Sequence, residues 1–161
     1  MSDALPLVIR SATTADAPAL ARVFAVSIET KACSGYGPRE RAAWAARGTA
    51  PRFAAMLDDQ RNSLLVAEYA GTVVGVAALT ASEVSLLYAA PAAPAGTGGT
   101  LLAAVEELAR EAGLTGLSLC ASRNALSFYL RHGYAIVAPA VRPLPGGVSL
   151  PVCLMAKTLG A

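Results

Sequence analysis

Short apolar runs alternate along the chain with longer segments in which apolar residues recur every three or four positions. The short runs are rich in Val, Leu and Ala and are bounded by glycine, proline or polar residues, which is typical of strands. The longer segments have the spacing of helices with one buried face. This order predicts an α/β protein with a mixed sheet of about six or seven strands flanked by helices. The predicted strands are residues 7–11, 63–69, 72–79, 83–89, 114–121, 134–137 and 148–155.

Five helices are predicted from capping residues and helix breakers. A threonine pair and Asp16 supply N-cap chemistry for the first helix, and Pro38 and Pro51 each begin a further one. The fourth helix begins at Gly98 and the fifth covers residues 124–132. Both are followed by a glycine, which tolerates the left-handed conformation found just past a helix end.

The middle of the chain predicts an antiparallel meander. Ala70-Gly71 separates the second and third runs, as in a tight hairpin, and the fourth run follows closely. The run 114–121 is almost continuously apolar, which is typical of a strand covered on both faces. Pro151 interrupts the last run and predicts a sheet edge or a bulge, because proline donates no backbone hydrogen bond.

Composition and charge narrow the class of protein. With 161 residues, 55% of them apolar and 15% charged, we expect one domain spanning residues 1–161. The net charge is +2 without a cluster of Lys or Arg, so no nucleic-acid partner is expected. The uncharged stretch 84–105 has prolines and glycines at its centre, so no membrane span is expected. Three separated cysteines and no signal-peptide pattern predict a cytoplasmic protein without disulfides or a metal site.

A glycine-rich turn before the fourth helix is the clearest chemical signal. Gly96-Thr97-Gly98-Gly99-Thr100 follows a strand and opens a helix, whose unpaired N–H groups and dipole favour an anion. No lysine follows its last glycine, which excludes a Walker A loop. Leu101 stands where a dinucleotide fingerprint needs a small residue, and no acidic residue ends the next strand. The sequence therefore predicts a different phosphate-bearing ligand.

The segment 117–134 carries a more specific pattern, in which a strand is followed by Asn124, the pair Phe128-Tyr129 and the pair Gly133-Tyr134. Together with the order of elements over nearly the whole chain, this pattern resembles the GNAT family of acetyl-CoA-dependent N-acetyltransferases. The resemblance implies a GNAT fold in which two central parallel strands splay apart. It also implies transfer of an acetyl group from acetyl-CoA, the co-substrate, to a primary amine by direct attack and without a metal.

The resemblance implies where acetyl-CoA binds. Its pyrophosphate would lie on the loop 93–98 and the helix start that follows, and its pantetheine arm and thioester would bond the backbone of Leu87 and Ala89. Asn124 either binds the cofactor or caps its helix. The loop departs from the family's pattern, because Ala93 replaces an Arg or Gln and the next residue is a proline without an N–H group. The candidate cofactor-binding residues are Leu87, Ala89, Ala95, Gly96, Thr97, Gly98, Gly99, Thr100 and Asn124.

Two candidate catalytic residues combine the resemblance with side-chain chemistry. Glu83 would be the general base for the amine, and two-residue alternation predicts that it shares a strand face with Leu87. Tyr129 would protonate the departing thiolate of coenzyme A. Each has a structural alternative: Glu83 as a solvated strand-end residue, and Tyr129 as a core aromatic beside Phe128. His132, at a helix end, is expected to be structural or exposed.

The acceptor amine stays open between a small molecule and a peptide. Trp44, Tyr36 and residues 39–41 lie in the helical region that shapes the acceptor pocket in enzymes of this family, although core packing explains Trp44 equally well. The departures at Ala93 and Pro94 leave a second interpretation, a non-catalytic acyl-CoA-binding or regulatory module. Transfer of a longer acyl chain and a homodimer are also open.

Overall fold

A seven-stranded sheet forms the centre of the computed structural model, which describes residues 5–160. The strands are β1 (Leu7–Ser11), β2 (Asn62–Tyr69), β3 (Thr72–Thr80), β4 (Glu83–Ala89), β5 (Gly116–Ala121), β6 (Ala135–Leu144) and β7 (Val148–Thr158). The helices are α1 (Ala17–Lys31), α2 (Pro38–Ala45), α3 (Ala50–Asp58), α4 (Thr97–Glu111) and α5 (Leu126–Arg131). The predicted α/β class with a mixed sheet is confirmed.

The order of strands in the sheet is β1-β2-β3-β4-β5-β7-β6. Each neighbouring pair is antiparallel except β4 and β5, which are parallel. These two strands pair at one position, between Glu83 and Ser118, and then separate. The predicted splayed parallel pair is therefore confirmed, and the gap opens toward the carboxyl ends of both strands.

Apolar side chains cover both faces of the sheet. One face, which we call the α1 face, is covered by α1, α2 and α3. There, helix residues such as Phe24 and Phe53 belong to one buried cluster with strand residues such as Val66. On the other, the α4 face, α4 packs through Leu101 and Leu102. All five of these side chains are at most 1% exposed. In β5, however, the buried residues Leu117, Leu119 and Ala121 all pack on the α4 face and the alternate residues are only half-buried, so the prediction that this strand is covered on both faces is wrong.

A β-bulge in β4 changes the faces that its side chains occupy. Val84 and Leu86 are paired with consecutive residues of β3, so Ser85 is an extra residue. Val84 packs on the α4 face, whereas Leu86 packs on the α1 face. The alternation between Glu83 and Leu87 is therefore broken, and the prediction that these two residues share a face is wrong.

Strand β5 begins at Gly116, two residues later than predicted, because Gly113 and Leu114 form the C-terminal cap of α4. Gly113 has a left-handed φ of 79°, which glycine adopts without strain. The N–H of Gly113 donates to the Arg110 carbonyl and that of Leu114 to the Ala109 carbonyl, both at 2.9 Å. These two bonds form a Schellman motif and confirm the predicted helix end.

The last two strands form a longer hairpin than predicted. Strand β6 continues through Pro139 and Pro143, which an edge strand tolerates. Strand β7 lies between β5 and β6, and the prediction of a sheet edge or a bulge concerns the local surroundings of Pro151. Because β5 pairs only with residues 153–158 of β7, Pro151 has a strand on one side alone, and the predicted edge is confirmed at this position. The end of β5 thus leaves a local edge beside the gap.

Candidate active site

The gap between β4 and β5 contains a cavity of about 600 Å³, the main cavity. It is bounded by β4 and the loop after it, the first turn of α4, the end of α1, and the chain around α5. Cavities that bind small molecules are typically of this size. The structure brings most of the predicted site residues to this cavity: Leu87, Ala89, Ala95, Gly96, Thr97, Gly98, Gly99, Asn124 and Tyr129.

The edge of β4 presents backbone polar groups to the main cavity. The N–H of Ala90 donates to the Val74 carbonyl of the β3 segment at 2.8 Å. Because bonding directions alternate along an antiparallel strand, Leu87 and Ala89 direct their N–H and C=O groups away from β3 and toward the cavity. The Nζ of Lys31 donates to the Ala89 carbonyl there. This open strand edge can bond the amide groups of an extended ligand.

In the described part of the chain, the glycine turn leaves three backbone donors without an acceptor: the N–H groups of Gly96, Gly98 and Gly99. Gly96 has φ 88°, a left-handed conformation in which a side chain is strained. The N–H and the hydroxyl of Thr97 both donate to the Pro94 carbonyl, at 3.2 and 2.7 Å. The free donors lie at the positive end of the α4 dipole, an arrangement that favours an anion, and anion binding by this turn stays a prediction.

Thr100 is a predicted cofactor residue that the structure places outside the main cavity. Its N–H and its hydroxyl both donate to the Gly96 carbonyl at 3.0 Å, so neither donor is free for a phosphate. Ala93 and Pro94 line the cavity but contribute no charge. Among the described residues that line it, Lys31 is the one charged side chain. The sequence patterns did not indicate Lys31, because a single lysine at a helix end belongs to no motif.

Asn124 lines the main cavity and does not cap α5. It lies in the 3₁₀ turn Arg123–Ala125, and α5 begins at Leu126 with Ala125 as its N-cap. No side-chain hydrogen bond caps the start of the 3₁₀ turn or the start of α5. The capping alternative is therefore wrong, while contact between Asn124 and a ligand stays a prediction.

Tyr129 lies where the main cavity meets a second, smaller cavity, and it lines both. The residue is 7% exposed, and its ring packs edge-on against Phe128 and Tyr134 at centroid distances of 5.2 and 5.7 Å. Burial raises the pKa of its phenol well above the usual value. None of the hydrogen bonds among residues 5–160 involves its hydroxyl, and no hydrogen bond contributes to the raised pKa. Tyr129 is therefore a core aromatic that also offers a protonated donor to the cavities.

The smaller cavity, of about 70 Å³, is lined by Glu83, Trp44, Tyr88 and Arg142 besides Tyr129. The Glu83 carboxylate is 4.0 Å from the Arg142 guanidinium, and its side chain is 43% exposed. Since neighbouring strand residues alternate, Glu83 lies on the face opposite Val84, which is the α1 face. Glu83 and Tyr129 thus approach one cavity from different elements.

Aromatic residues of the helical region combine packing with a place beside the cavities. Trp44 is 9% exposed, packs on Tyr36 at a centroid distance of 5.6 Å, and lines both cavities. The Tyr36 hydroxyl donates to the Pro151 carbonyl at 2.6 Å and accepts from the Arg123 N–H at 3.1 Å. These bonds fix the helical region against the open part of β7.

His132 has a structural role: its Nδ1 is 2.8 Å from the Phe128 carbonyl, and its ring packs on the Phe128 ring at 4.3 Å. The three cysteines are free. In residues 5–160, no group of three or more His, Cys, Asp or Glu side chains could hold a metal ion. None of the helices in that range is long and apolar enough to cross a membrane.

Two splayed parallel strands, with a cavity that ends at a glycine-rich helix start, form a site whose shape and polarity suit an extended ligand with an anionic end. The chain belongs to the GNAT acetyltransferase family, since residues 31–142 match the acetyltransferase (GNAT) domain. The predicted family is thereby confirmed. Among curated proteins, none is significantly similar in sequence.

Solved structures of the family are similar over nearly the whole chain. A GCN5-related N-acetyltransferase from Rhodopseudomonas palustris is 31% identical, with a TM-score of 0.89 and 99% of both chains covered. PaiA N-acetyltransferase from Thermoplasma acidophilum, solved with coenzyme A, is 20% identical, with a TM-score of 0.79 over 95% of this chain and 99% of that chain. YncA from Salmonella typhimurium, solved with acetyl-CoA, is 22% identical, with a TM-score of 0.64 over 97% and 95%. The last two similarities concern the fold alone.

Proposed function

We propose that the protein is an N-acetyltransferase that moves an acetyl group from acetyl-CoA to a primary amine of a small molecule or peptide. One observation carries the proposal: the main cavity joins the open edge of β4, the free donors of the glycine turn and the side chain of Tyr129. An extended thioester with a pyrophosphate toward one end matches this arrangement in shape and in charge.

The cofactor would lie along the main cavity with its pyrophosphate at the start of α4. The N–H groups of Gly96, Gly98 and Gly99 would bond phosphate oxygens, and the helix dipole would favour their charge. The backbone groups of Leu87 and Ala89 would bond the pantetheine arm. The structures of PaiA with coenzyme A and of YncA with acetyl-CoA support this placement, because both share the fold.

Acetyl transfer needs a neutral amine, a stabilised oxyanion and a protonated leaving group. The Glu83 carboxylate would take a proton from the attacking ammonium, directly or through a water molecule. The N–H of Leu87 would stabilise the oxyanion of the tetrahedral intermediate. Tyr129 would hydrogen-bond the sulfur and donate its proton as the C–S bond breaks, and the phenol would then regain a proton from Glu83 or from water. Burial keeps the phenol protonated before this step, and the same raised pKa makes it a weak acid, so its contribution is greatest when the C–S bond is largely broken.

A second candidate function is a non-catalytic acyl-CoA-binding or regulatory module. It is favoured by the loop before α4, where Ala93 and Pro94 line the main cavity without a cationic side chain. A cofactor site that lacks this contact would bind acetyl-CoA less tightly, since the phosphate charge is met by backbone donors and the helix dipole alone.

Thiol release and calorimetry distinguish the two functions. Purified protein is mixed with acetyl-CoA and a panel of primary amines, and free coenzyme A is measured with a thiol reagent. Amine-dependent release supports the enzyme, whereas binding of acetyl-CoA without release for any amine supports the module. If neither acetyl-CoA nor coenzyme A binds at millimolar concentration, both proposals are refuted.

A further inference from the structure

Lys31 is a nucleophile in the main cavity that the proposed transfer to an external amine does not use. It is the last residue of α1, and its Nζ donates to the Ala89 carbonyl on the open edge of β4. No carboxylate in residues 5–160 forms an ion pair with it. Its amine therefore faces the ligand space without a charged partner that holds it protonated.

The second lysine of the chain, Lys157, provides an internal comparison. Its Nζ bonds both carboxylate oxygens of Glu106, at 3.1 and 3.0 Å, and the His132 carbonyl at 2.9 Å. Three acceptors use all three protons of the ammonium group. Its side chain is 24% exposed and does not line the main cavity. The two lysines of the chain thus differ sharply in their availability for acylation.

We propose that Lys31 is a self-acetylation site, modified by acetyl-CoA bound in the main cavity of the same molecule. This inference rests on the proposed function. In the reaction, the neutral Nζ attacks the carbonyl carbon of the thioester, an N–C bond forms and the C–S bond breaks. The proton that the amine loses ends on the sulfur, so the products are acetyl-lysine and coenzyme A with a free thiol.

The geometry of β4 places the amine close to the thioester. Under the proposed function the thioester lies at Leu87, and Nζ is bonded at Ala89, two residues further along the strand. Two residues of a β-strand span about 7 Å. The flexible stem of Lys31 can cover this distance by side-chain rotation. Partial burial also lowers the pKa of the Lys31 amine, which increases the neutral fraction that can attack.

The test compares the two lysines in one sample. The protein is incubated with acetyl-CoA without an added amine, and acetylation of each lysine is followed by peptide mass spectrometry. We expect Lys31 to react at least about tenfold faster than Lys157, because a bound donor raises the effective concentration at one site. The rate at Lys31 should not depend on protein concentration, and excess coenzyme A should suppress it.

Two controls separate the bound donor from chemical acetylation in solution. S-acetyl-N-acetylcysteamine has the same thioester but no nucleotide, so it should modify both lysines slowly and without selectivity. In Lys31→Arg the charge is kept and the amine is lost, so total acetylation of the chain should fall to the level of the remaining amines. In Lys157→Arg the acetylation of Lys31 should persist.

The outcomes distinguish this inference from the proposed function, because calorimetry measures acetyl-CoA binding in parallel. If acetyl-CoA binds but Lys31 and Lys157 react at equal rates, self-acetylation is overturned and the acetyltransferase function stands. The same conclusion holds if Lys31 reacts equally fast with the truncated thioester. If acetyl-CoA does not bind, the inference and the proposed function fail together.

Discussion

Replacing Tyr129 by Phe separates the chemical role of this residue from its role in packing. The change removes one hydroxyl and keeps the ring, with its edge-on contacts to Phe128 and Tyr134. Since no described residue forms a hydrogen bond with the hydroxyl, the change leaves no buried partner without one. The free energy of unfolding should therefore change by less than about 0.5 kcal/mol. If the phenol protonates the thiolate, the rate of thiol release should fall by about tenfold or more, or about 1.4 kcal/mol of barrier.

Tyr134 offers a matched control, because its ring centroid lies 5.7 Å from that of Tyr129 and its hydroxyl is used elsewhere. The Tyr134 hydroxyl donates to the buried Glu106 carboxylate at 2.8 Å. Tyr134→Phe leaves that carboxylate one donor short, which should lower the free energy of unfolding by about 1–3 kcal/mol. Its rate of acetyl transfer per folded molecule should stay unchanged.

For both variants, urea unfolding gives the free energy of unfolding and thiol release gives the rate of acetyl transfer. We expect opposite outcomes: Tyr129→Phe loses activity and keeps its stability, whereas Tyr134→Phe loses stability and keeps its activity per folded molecule. Unchanged kcat and kcat/KM in Tyr129→Phe would refute the acid role and leave Tyr129 as a core aromatic. A large loss of stability in that variant would show that the hydroxyl has a structural partner.

Three further outcomes can be measured. Arg10 donates twice to the Asp16 carboxylate at 2.8 Å and lowers the pKa of this carboxyl from 3.8 to about 2. The ion pair therefore stabilises the fold above the usual pKa of the carboxyl, and this stabilisation is lost as the pH falls through about 2. In urea unfolding, Asp16→Asn should lower the free energy of unfolding by about 2 kcal/mol at neutral pH and make it less dependent on pH in the acid range. Gly96→Ala should lower stability by about 1–2 kcal/mol and weaken acetyl-CoA binding in calorimetry, whereas Gly113→Ala, with a similar φ at the other end of α4, should lower stability alone. Glu83→Gln should lower kcat/KM most near neutral pH, and an unaltered pH–rate profile would contradict its role as base.

The parts of the fold that local patterns determine were predictable. Strands β1 and β4 occupy the predicted runs 7–11 and 83–89, because apolar residues between turn residues suffice to identify them. The hairpin turn at Ala70-Gly71 has two left-handed φ angles, 54° and 78°, as a tight turn between paired strands requires. The glycine turn before α4 also forms where its residues indicated.

The parts of the site that depend on pairing between distant segments were not predictable. Simple alternation places Glu83 and Leu87 on one face, but the bulge at Ser85 separates them, and a bulge arises from the register with β3. Lys31 reaches the cavity because α1 ends beside Ala89, a contact between residues 58 positions apart. No local pattern records either relation.

The sequence by itself determined the order of the elements, the glycine turn at residues 96–99 before α4 and, through residues 124–134, the family. These features depend on hydrophobic periodicity, backbone freedom and short motifs, all of which act over a few residues. The tertiary structure alone decided that β4 and β5 separate after Glu83, that Tyr129 lies between two cavities, and that Lys31 faces the ligand space. These features arise from the packing of segments that are distant in the chain, which a local pattern cannot encode.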